Sequence, residues 1–487
     1  MKITLLLSSL FIGMNSFSQT IIWGPEITVS DGSLYGNYRP RAAVVQGDVP
    51  VVIYGNTTGN ENLFISRWNG TGFDTPNSIL PVGESSYISV WTGADISSHG
   101  DTVIAVFKLQ PLETGNVYSV RSTDGGLTFS DTIRVNSYDA GVAWMPSMEM
   151  DPNGNPVVTC MIHNAGWTDP RYAMINSTDG GLTYNSEVEI AGSVPGEACD
   201  CCPAEIAISG QNQLLLFRNN EFNIRDIFGV LSTDGGATFP SYTNVDNTNW
   251  SITGCPSTGA DAIFMGDKLI TAWASAADGP YRVYVSSSSI TSGLTYETRE
   301  MVTAPIPIQG SQNYPTISGE NDTIVMAWRE MDNLNNDIFY SVSIPGADPL
   351  DALTNFKYKA NLTTTGTQTN PEIIYKNGIV HLFFQDNSTG NLLYRRGTID
   401  LNLGLTENLA SIGVYPNPSS NGVFYIQNDL NTELISVKNS IGQSIGFNIE
   451  ESNGGLLLKL MTTSKGIYFL SYFTKDGIQK TTTLLVN

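Results

Sequence analysis

The feature that most constrains the fold of this chain is an eight-residue segment that recurs at an even spacing. Three copies begin at Ser122, Ser177 and Ser232, 55 residues apart in each case, and a degenerate copy begins at Ser289. Each copy follows an apolar run, and the first three contain Asp-Gly-Gly. Because Asp accepts local backbone hydrogen bonds and Gly tolerates positive φ, each copy predicts a β-hairpin turn. A period of this length indicates a repeat architecture.

Other landmarks repeat with the same period. An x-Pro-x step opens an apolar run at six places, and Trp91-Thr92-Gly93 fills the one gap in the series. The six prolines are Pro40, Pro146, Pro203, Pro256, Pro315 and Pro371. Apolar runs of four to six residues follow, which fit short strands buried on both faces. Such strands, arranged radially in groups of four, form a β-propeller.

The repeats predict an all-β fold in which residues 20–402 form a β-propeller of seven blades. Residues 21–29 read as an outer strand that precedes the first repeat, and the last repeat near Leu393 has only three evident strands. Pairing of these two segments would therefore close the ring.

The repeated segment resembles the Asp box, Ser-x-Asp-x-Gly-x-Thr-Trp, of sialidase-like β-propellers. In that family the Asp-box turn lies at the edge of a blade, away from the active face. The resemblance therefore implies structural roles for Asp124, Asp179 and Asp234. Sialidases have six blades, so six is the alternative to seven.

The start of the chain and its charge indicate export. Lys2 and the apolar residues up to Ile12, followed by Ser16-Phe17-Ser18, predict a signal peptide over residues 1–18. No apolar run is long enough for a transmembrane segment. The net charge is −22, from 24 Lys and Arg against 46 Asp and Glu, which argues against nucleic acid or an anionic membrane as partner. We expect a protein exported through the periplasm and outer membrane, either secreted or at the cell surface.

The composition changes after residue 402, which predicts a linker over 403–412 and a separate unit over 413–487. The unit opens with Tyr415-Pro416-Asn417-Pro418 and has a Gly466-Ile467-Tyr468 strand near its end. It resembles the C-terminal sorting domain of the bacterial type IX secretion system, a small Ig-like β-sandwich. The resemblance implies the type IX machinery as a partner, and cleavage of the domain after export. An ordinary Ig-like adhesion module is the alternative.

One face of a propeller collects the loops that enter the first strands and leave the second strands of the blades. We expect a binding site there, around the mouth of the central channel. The residues that this register places on the binding face are Arg41, Trp91, Trp144, His163, Arg225, Asp226 and Trp273.

Four cysteines fall at the same mouth. Cys199, Cys201 and Cys202 precede the fourth blade, and Cys255 holds the equivalent place before the fifth. Export permits disulfides, of which Cys202–Cys255 is one candidate pair, but four thiolates also suit zinc or copper, and redox chemistry is a third reading. Cys160 lies in an apolar strand and is predicted to be a free core thiol.

The resemblance to sialidases also implies a catalytic set. That family binds the sugar carboxylate with three arginines and uses a Tyr nucleophile activated by a Glu. The matching candidates in this chain are Arg39, Arg218, Arg329, Tyr314 and Glu330. The family pattern Phe/Tyr-Arg-Ile-Pro is altered here to Tyr-Arg-Pro-Arg, which puts the match in doubt.

Three classes of function remain open from the sequence. The first is a sialidase-like glycoside hydrolase that acts on an extracellular glycan or glycoprotein. The second is a non-catalytic binding or adhesion propeller, and the third is a cysteine-centred metal protein. No cofactor is assigned.

Overall fold

The computed structural model of the chain divides into two compact units, Met1–Leu401 and Asn402–Asn487. The structure describes residues 21–56, 62–190, 194–291, 293–303, 310–332, 334–363, 365–399, 414–427, 434–439, 443–452, 455–462, 464–473 and 479–487. The predicted signal peptide and the predicted linker lie outside these residues.

The first unit is built almost wholly of strands. They are β1 (Ile21–Trp23), β2 (Ile27–Ser30), β3 (Tyr38–Val45), β4 (Val49–Gly55), β5 (Leu63–Arg67), β6 (Asn77–Ser78), β7 (Asp95–His99), β8 (Thr102–Lys108), β9 (Val117–Ser122), β10 (Ile133–Arg134), β11 (Gly141–Met150), β12 (Pro156–Asn164), β13 (Thr168–Asn176), β14 (Val188–Glu189), β15 (Glu197–Ala198), β16 (Glu205–Ser209), β17 (Asn212–Asn220), β18 (Ile227–Ser232), β19 (Ser241–Asn244), β20 (Ala260–Met265), β21 (Lys268–Ser275), β22 (Arg282–Ser289), β23 (Thr295–Met301), β24 (Gln312–Glu320), β25 (Thr323–Asp332), β26 (Asn335–Ser343), β27 (Tyr358–Lys359), β28 (Gln368–Lys376), β29 (Ile379–Asp386) and β30 (Asn391–Ile399). Two short helices are described, α1 (Gly32–Tyr35) and α2 (Pro349–Asn355).

These strands form seven small antiparallel sheets in the described part of the unit. In chain order the sheets are β3–β6, β7–β10, β11–β14, β15–β19, β20–β23, β24–β27 and β28–β30 with β1 and β2. The inner strands contact one another in a closed cycle, β3 to β7, β11, β16, β20, β24, β28 and back to β3. Small sheets arranged radially around a channel are the architecture of a β-propeller.

The N-terminal strands complete the seventh sheet. In β1, Ile21 pairs with Ile399, and in β2, Thr28 pairs with Leu393. The pairing that the sequence predicts is thus present. It ties the two ends of the ring together through backbone hydrogen bonds, so that β28–β30 does not end in an open edge.

The core of the first unit lies between neighbouring sheets. All five residues from Val103 to Phe107 in β8 are fully buried, because both faces of the second sheet are covered. Val51 and Ile53 of the first sheet pack against this strand in one continuous apolar cluster. Burial on both faces explains why the strands read as unbroken apolar runs.

The repeated Asp-Gly-Gly segments form the predicted turns, as the first copy shows between β9 and β10. Asp124 Oδ1 accepts from the backbone N–H groups of Leu127 and Thr128, both at 3.0 Å. Gly125 and Gly126 have φ of 73° and 86°, which a side chain at either position would disfavour. Gly125 N also donates to Asp101 O in the β7–β8 turn. The turns therefore lie at the end of the sheets opposite the start of the inner strands.

The second unit contains two four-stranded antiparallel sheets. Its strands are β31 (Val414–Tyr415), β32 (Val423–Gln427), β33 (Leu434–Asn439), β34 (Ser444–Ile445), β35 (Phe447–Ser452), β36 (Gly455–Leu460), β37 (Gly466–Phe473) and β38 (Gln479–Val486). The sheets run β31-β32-β36-β35 and β34-β33-β37-β38, and they share an apolar core that includes Phe424, Leu458, Leu470 and Leu484.

Candidate functional site

The mouth of the channel is shaped by one backbone feature repeated around the ring. The inner strands β3, β11, β24 and β28 each have a break in register near their start. At each break a residue directly before a proline has positive φ. These residues are Arg39, Met145, Tyr314 and Asn370, with φ of 51°, 49°, 53° and 45°. Positive φ is uncommon outside glycine, and bulges of this kind redirect side chains next to functional sites.

Behind the mouth, the channel holds a cavity of about 320 Å³ lined by acidic side chains. Arg41 lies among them and forms ion pairs with Glu372 at 2.5 Å, Glu205 at 3.3 Å and Asp95 at 3.8 Å. Arg41 was expected on the binding face. The structure places it inside the channel instead, because three carboxylates from other sheets surround its guanidinium.

Burial changes the ionisation of the channel carboxyls. It raises the pKa of Glu149 and Glu372 to about 7 and that of Glu205 to about 8. For Glu205 and Glu372, the charge of Arg41 opposes this shift. Burial also raises the pKa of Asp261. These groups titrate near neutral pH because each must lose most of its hydration in the channel.

Arg39 stands at the mouth itself, two residues before Arg41. It lines the two small cavities between the inner strands, beside Pro203 and Ala204. Within the described part of the chain, no carboxylate pairs with its guanidinium. Burial and the neighbouring charge of Arg41 lower its pKa to about 10, so it stays charged at neutral pH.

Tyr314 and Arg329 lie at the same mouth. Tyr314 lines one of the cavities that Arg39 lines, and the guanidinium carbon of Arg329 is 4.8 Å from the centre of the Tyr314 ring. Arg329 Nε is buried without a hydrogen-bond partner, and burial lowers the pKa of the guanidinium. The structure therefore brings three of the five predicted catalytic residues, Arg39, Tyr314 and Arg329, to one region.

The other two members of that set have internal partners. Arg218 is fully buried and donates to the backbone oxygens of Thr258, Arg225 and Ala274 at 3.3, 2.6 and 2.8 Å. Burial lowers the pKa of Arg218 to about 10. Its guanidinium holds three loops together and faces no cavity at the mouth.

Glu330 is also buried, and the structure does not join it to Tyr314. Its carboxylate accepts from Lys357 Nζ at 2.6 Å, from Gln312 Nε2 at 3.0 Å and from Trp328 Nε1 at 3.1 Å. A carboxylate neutralised in this way is a structural ion pair rather than a base for a nearby phenol.

An aromatic cluster lies beside the mouth, between the second and third sheets. Trp144 Nε1 donates to His163 Nε2 at 3.1 Å, and Trp91 packs against the same cluster. Trp167, in the turn after β12, meets the Trp144 ring edge-on at 5.3 Å and remains 37% exposed. Burial lowers the pKa of His163, so the imidazole is neutral. Trp91, Trp144 and His163 are thus gathered as expected, and Trp167 is an addition that the sequence did not indicate.

Two residues expected on the binding face are buried instead. Trp273 is fully buried and stacks on Tyr284 at 5.8 Å inside the fifth sheet. The Asp226 carboxylate is buried and accepts four hydrogen bonds from one loop. The donors are Asn244 Nδ2, Thr248 Oγ1, Asn249 N and Trp250 N. Asp226 therefore organises that loop and is not open to a ligand.

The four mouth cysteines meet, with a pairing that corrects the expectation. The structure pairs Cys199 with Cys202 and Cys201 with Cys255, with Cα separations of 5.5 and 6.3 Å. A turn in which Cys202 N donates to Cys199 O folds Cys202 back onto Cys199 rather than towards Cys255. All four Sγ atoms lie within 4.8 Å of one another. Cys160 is free and buried, as predicted.

Comparison with known protein families identifies the C-terminal unit. Residues 413–487 match the family described as the secretion system C-terminal sorting domain. The match confirms this part of the sequence interpretation and indicates export by type IX secretion, to the cell surface or the extracellular space. No helix in the described ranges has both the length and the apolar character to cross a membrane. No curated protein matches the chain.

Several solved structures are similar at low identity. A protein of unknown function from Dyadobacter fermentans is 12% identical, with 78% of this chain and 99% of that chain covered and a TM-score of 0.45. The GH93 α-L-arabinofuranosidase of Fusarium graminearum is 13% identical, with coverages of 63% and 92% and a TM-score of 0.42. The endosialidase of phage phi92 is 9% identical, with coverages of 95% and 87% and a TM-score of 0.43. Similarities this low do not assign a substrate.

Proposed function

We propose that this protein is an exported, sialidase-like propeller of seven blades whose channel mouth binds acidic extracellular glycans through their carboxylates. The observation that carries the proposal is the Arg39 guanidinium. It lies at the mouth of a chain with net charge −22, yet no carboxylate of the described residues pairs with it. A part-buried cation without a counter-charge favours an anionic ligand.

The repeat supports the sialidase-like assignment. Seven sheets in a closed cycle fit seven blades, and the Ser-x-Asp-x-Gly-x-Thr turns hold the same hydrogen bonds in three of them. In each turn the Asp side chain accepts from the backbone N–H of the Thr, at Thr128, Thr183 and Thr238. These turns define the end of the propeller opposite the proposed site.

The chemistry of the mouth fits an acidic sugar. Guanidinium groups bind carboxylates through two parallel hydrogen bonds, and Arg39 and Arg329 both have donors to offer. The exposed face of Trp167 gives a nearby apolar surface against which a sugar ring packs. Sites of this kind combine an aromatic surface with a few placed polar groups.

The same contacts favour binding over hydrolysis. A sialidase-type reaction needs a carboxylate beside the Tyr nucleophile. Here Glu330 is held by Lys357 inside the sixth sheet, and Tyr314 packs on Arg329 instead. We therefore place this propeller among non-catalytic binders of the cell surface.

A panel of glycans tests the proposal. The full chain is titrated with oligosaccharides that contain sialic or glucuronic acid and with neutral oligosaccharides, and each mixture is examined for released sugar. We expect binding of acidic glycans alone, without release. Arg39→Gln should weaken binding about tenfold to a hundredfold, as expected for loss of a charge-assisted hydrogen bond.

Arg134→Gln is the matched control, since Arg134 lies on the outer strand β10 and already pairs with Asp139. Equal binding of neutral glycans, or equal affinities for the two variants, would contradict the proposal. Release of sugar would make the protein a hydrolase and would overturn the non-catalytic assignment.

A further inference from the structure

We propose that Cys199, Cys201, Cys202 and Cys255 bind one zinc ion as thiolates, and that Arg225 supplies the balancing positive charge. This site is separate from glycan binding and does not depend on it.

The geometry of the four sulfur atoms fits a single metal ion. All lie within 4.8 Å of one another, and Cys199 Sγ is 3.7 Å from Cys201 Sγ. A tetrahedral zinc site with Zn–S bonds of about 2.3 Å places its sulfur atoms about 3.8 Å apart. Thiolates are also the ligands that zinc prefers in closed structural sites.

Arg225 distinguishes a thiolate site from two disulfides. Its side chain is only 8% exposed, its Nη1 donates to Cys199 Sγ at 3.0 Å, and its Nε is buried without a partner. In the described ranges no carboxylate forms an ion pair with it. The adjacent Asp226 is already engaged by donors of the loop 244–250.

A buried cation needs an anion nearby. Two disulfides are neutral and would leave the Arg225 charge uncompensated next to Cys199. Zinc bound by four thiolates has a net charge of about −2, since each thiolate is deprotonated. Hydrogen bonds from second-sphere donors to metal ligands are a regular part of such sites, and the Arg225–Cys199 contact has this form.

The position of the cluster suggests what the metal does. Three ligands come from the loop that leads into the fourth sheet, and Cys255 comes from the loop that leads into the fifth. Cys199 and Cys202 are buried and Cys255 is exposed, so the site is open to solvent on one side. A zinc ion would tie the two loops together beside Pro203 and Ala204, which line the mouth with Arg39.

The decisive experiment examines the full chain as purified, without reductant or added metal. It is denatured, alkylated and weighed, and a native sample is analysed for metal. We expect five alkylated cysteines and one zinc per chain. One alkylated cysteine and no zinc would show two disulfides and overturn the proposal, even if the reduced chain later bound Zn²⁺.

Variants locate the site. Cys255→Ser should lower the zinc content severalfold, whereas Cys160→Ser should leave it unchanged, because Cys160 lies away from the cluster in β12. Arg225→Gln should weaken Zn²⁺ binding, measured by competition with a chelator, and Arg225→Lys should restore part of it. Zinc retained at the wild-type level in Cys255→Ser would overturn the assignment.

Discussion

Arg41 Nη1 donates to Glu372 Oε2 at 2.5 Å, which links the inner strand of the first sheet to that of the seventh. The two residues are 331 positions apart in the chain. The same guanidinium also reaches Glu205, on the inner strand of the fourth sheet. One cation thus holds carboxylates from separate sheets around the channel, in a setting that is acidic and poorly hydrated.

This arrangement predicts that the propeller is more stable in mild acid than in mild base. The folded pKa values of Glu149, Glu205 and Glu372 are raised from 4.5 to about 7, 8 and 7. A raised folded pKa gives stability that is fully present below the unfolded pKa and is lost as the pH rises through the folded value. The thermal midpoint should therefore fall between about pH 5 and about pH 8.

Glu149→Gln should flatten this pH dependence, because the amide is neutral throughout the range. Glu113→Gln is the control, since Glu113 is exposed at the surface. Differential scanning calorimetry checks both. A midpoint that rises over the range, or an unchanged slope in Glu149→Gln, would contradict the account of the channel.

Arg218→Ala should destabilise the propeller rather than act on binding alone. Three buried carbonyl groups would lose their donor, and each unsatisfied group costs about 1–3 kcal/mol, so we expect a loss of at least about 3 kcal/mol. Urea denaturation measures it. Arg134→Ala, which removes an exposed ion pair, should cost less than about 1 kcal/mol. Similar losses for both variants would refute the structural role of Arg218.

The sequence predicts the regular part of this fold well because that part depends on local patterns. Turns such as Ser122–Thr128 are encoded by residues that bond to one another, and strands such as β8 are encoded by their apolar runs. The closure of the ring through β1 and β2 also follows, since the last repeat lacks an outer strand.

The site is less predictable because long-range packing decides it. Arg218 and Arg329 occupy equivalent places in their sheets, but Trp250 and the backbone of Thr258 cover Arg218 and leave no room for a ligand. Trp167 is a lone aromatic in a hairpin turn, and only the fold shows that it meets Trp144. The cysteine pairing depends on the path of one loop, which spacing does not reveal.

Trp167→Ala should lower glycan affinity and leave stability nearly unchanged. The ring is 37% exposed and lies at the tip of a turn, so little packing is lost. Loss of sugar stacking should weaken binding severalfold, and Trp167→Phe should retain much of it. Titration calorimetry measures the affinities. A stable Trp167→Ala variant with unchanged affinity would exclude this surface from the site.

Removal of residues 413–487 should leave a folded propeller that is retained in the periplasm. The first unit has its own core and its own ring closure, and the matched sorting domain lies wholly in the second. Cell fractionation with circular dichroism of the retained protein checks both halves. Fusion of 413–487 to an unrelated exported reporter is the converse test. Normal surface delivery of the truncated chain would contradict the sorting role.

The central claim is that Arg39 recognises a carboxylate at the channel mouth. The most direct measurement is calorimetric titration of the full chain with an acidic oligosaccharide and with its carboxyl-reduced form, in which only the carboxylates are replaced by hydroxymethyl groups. We predict that the acidic form binds at least about tenfold more tightly, and that Arg39→Gln removes this preference while the affinity for the reduced form is unchanged. Equal affinities for the two forms, or a preference that persists in Arg39→Gln, would contradict the account.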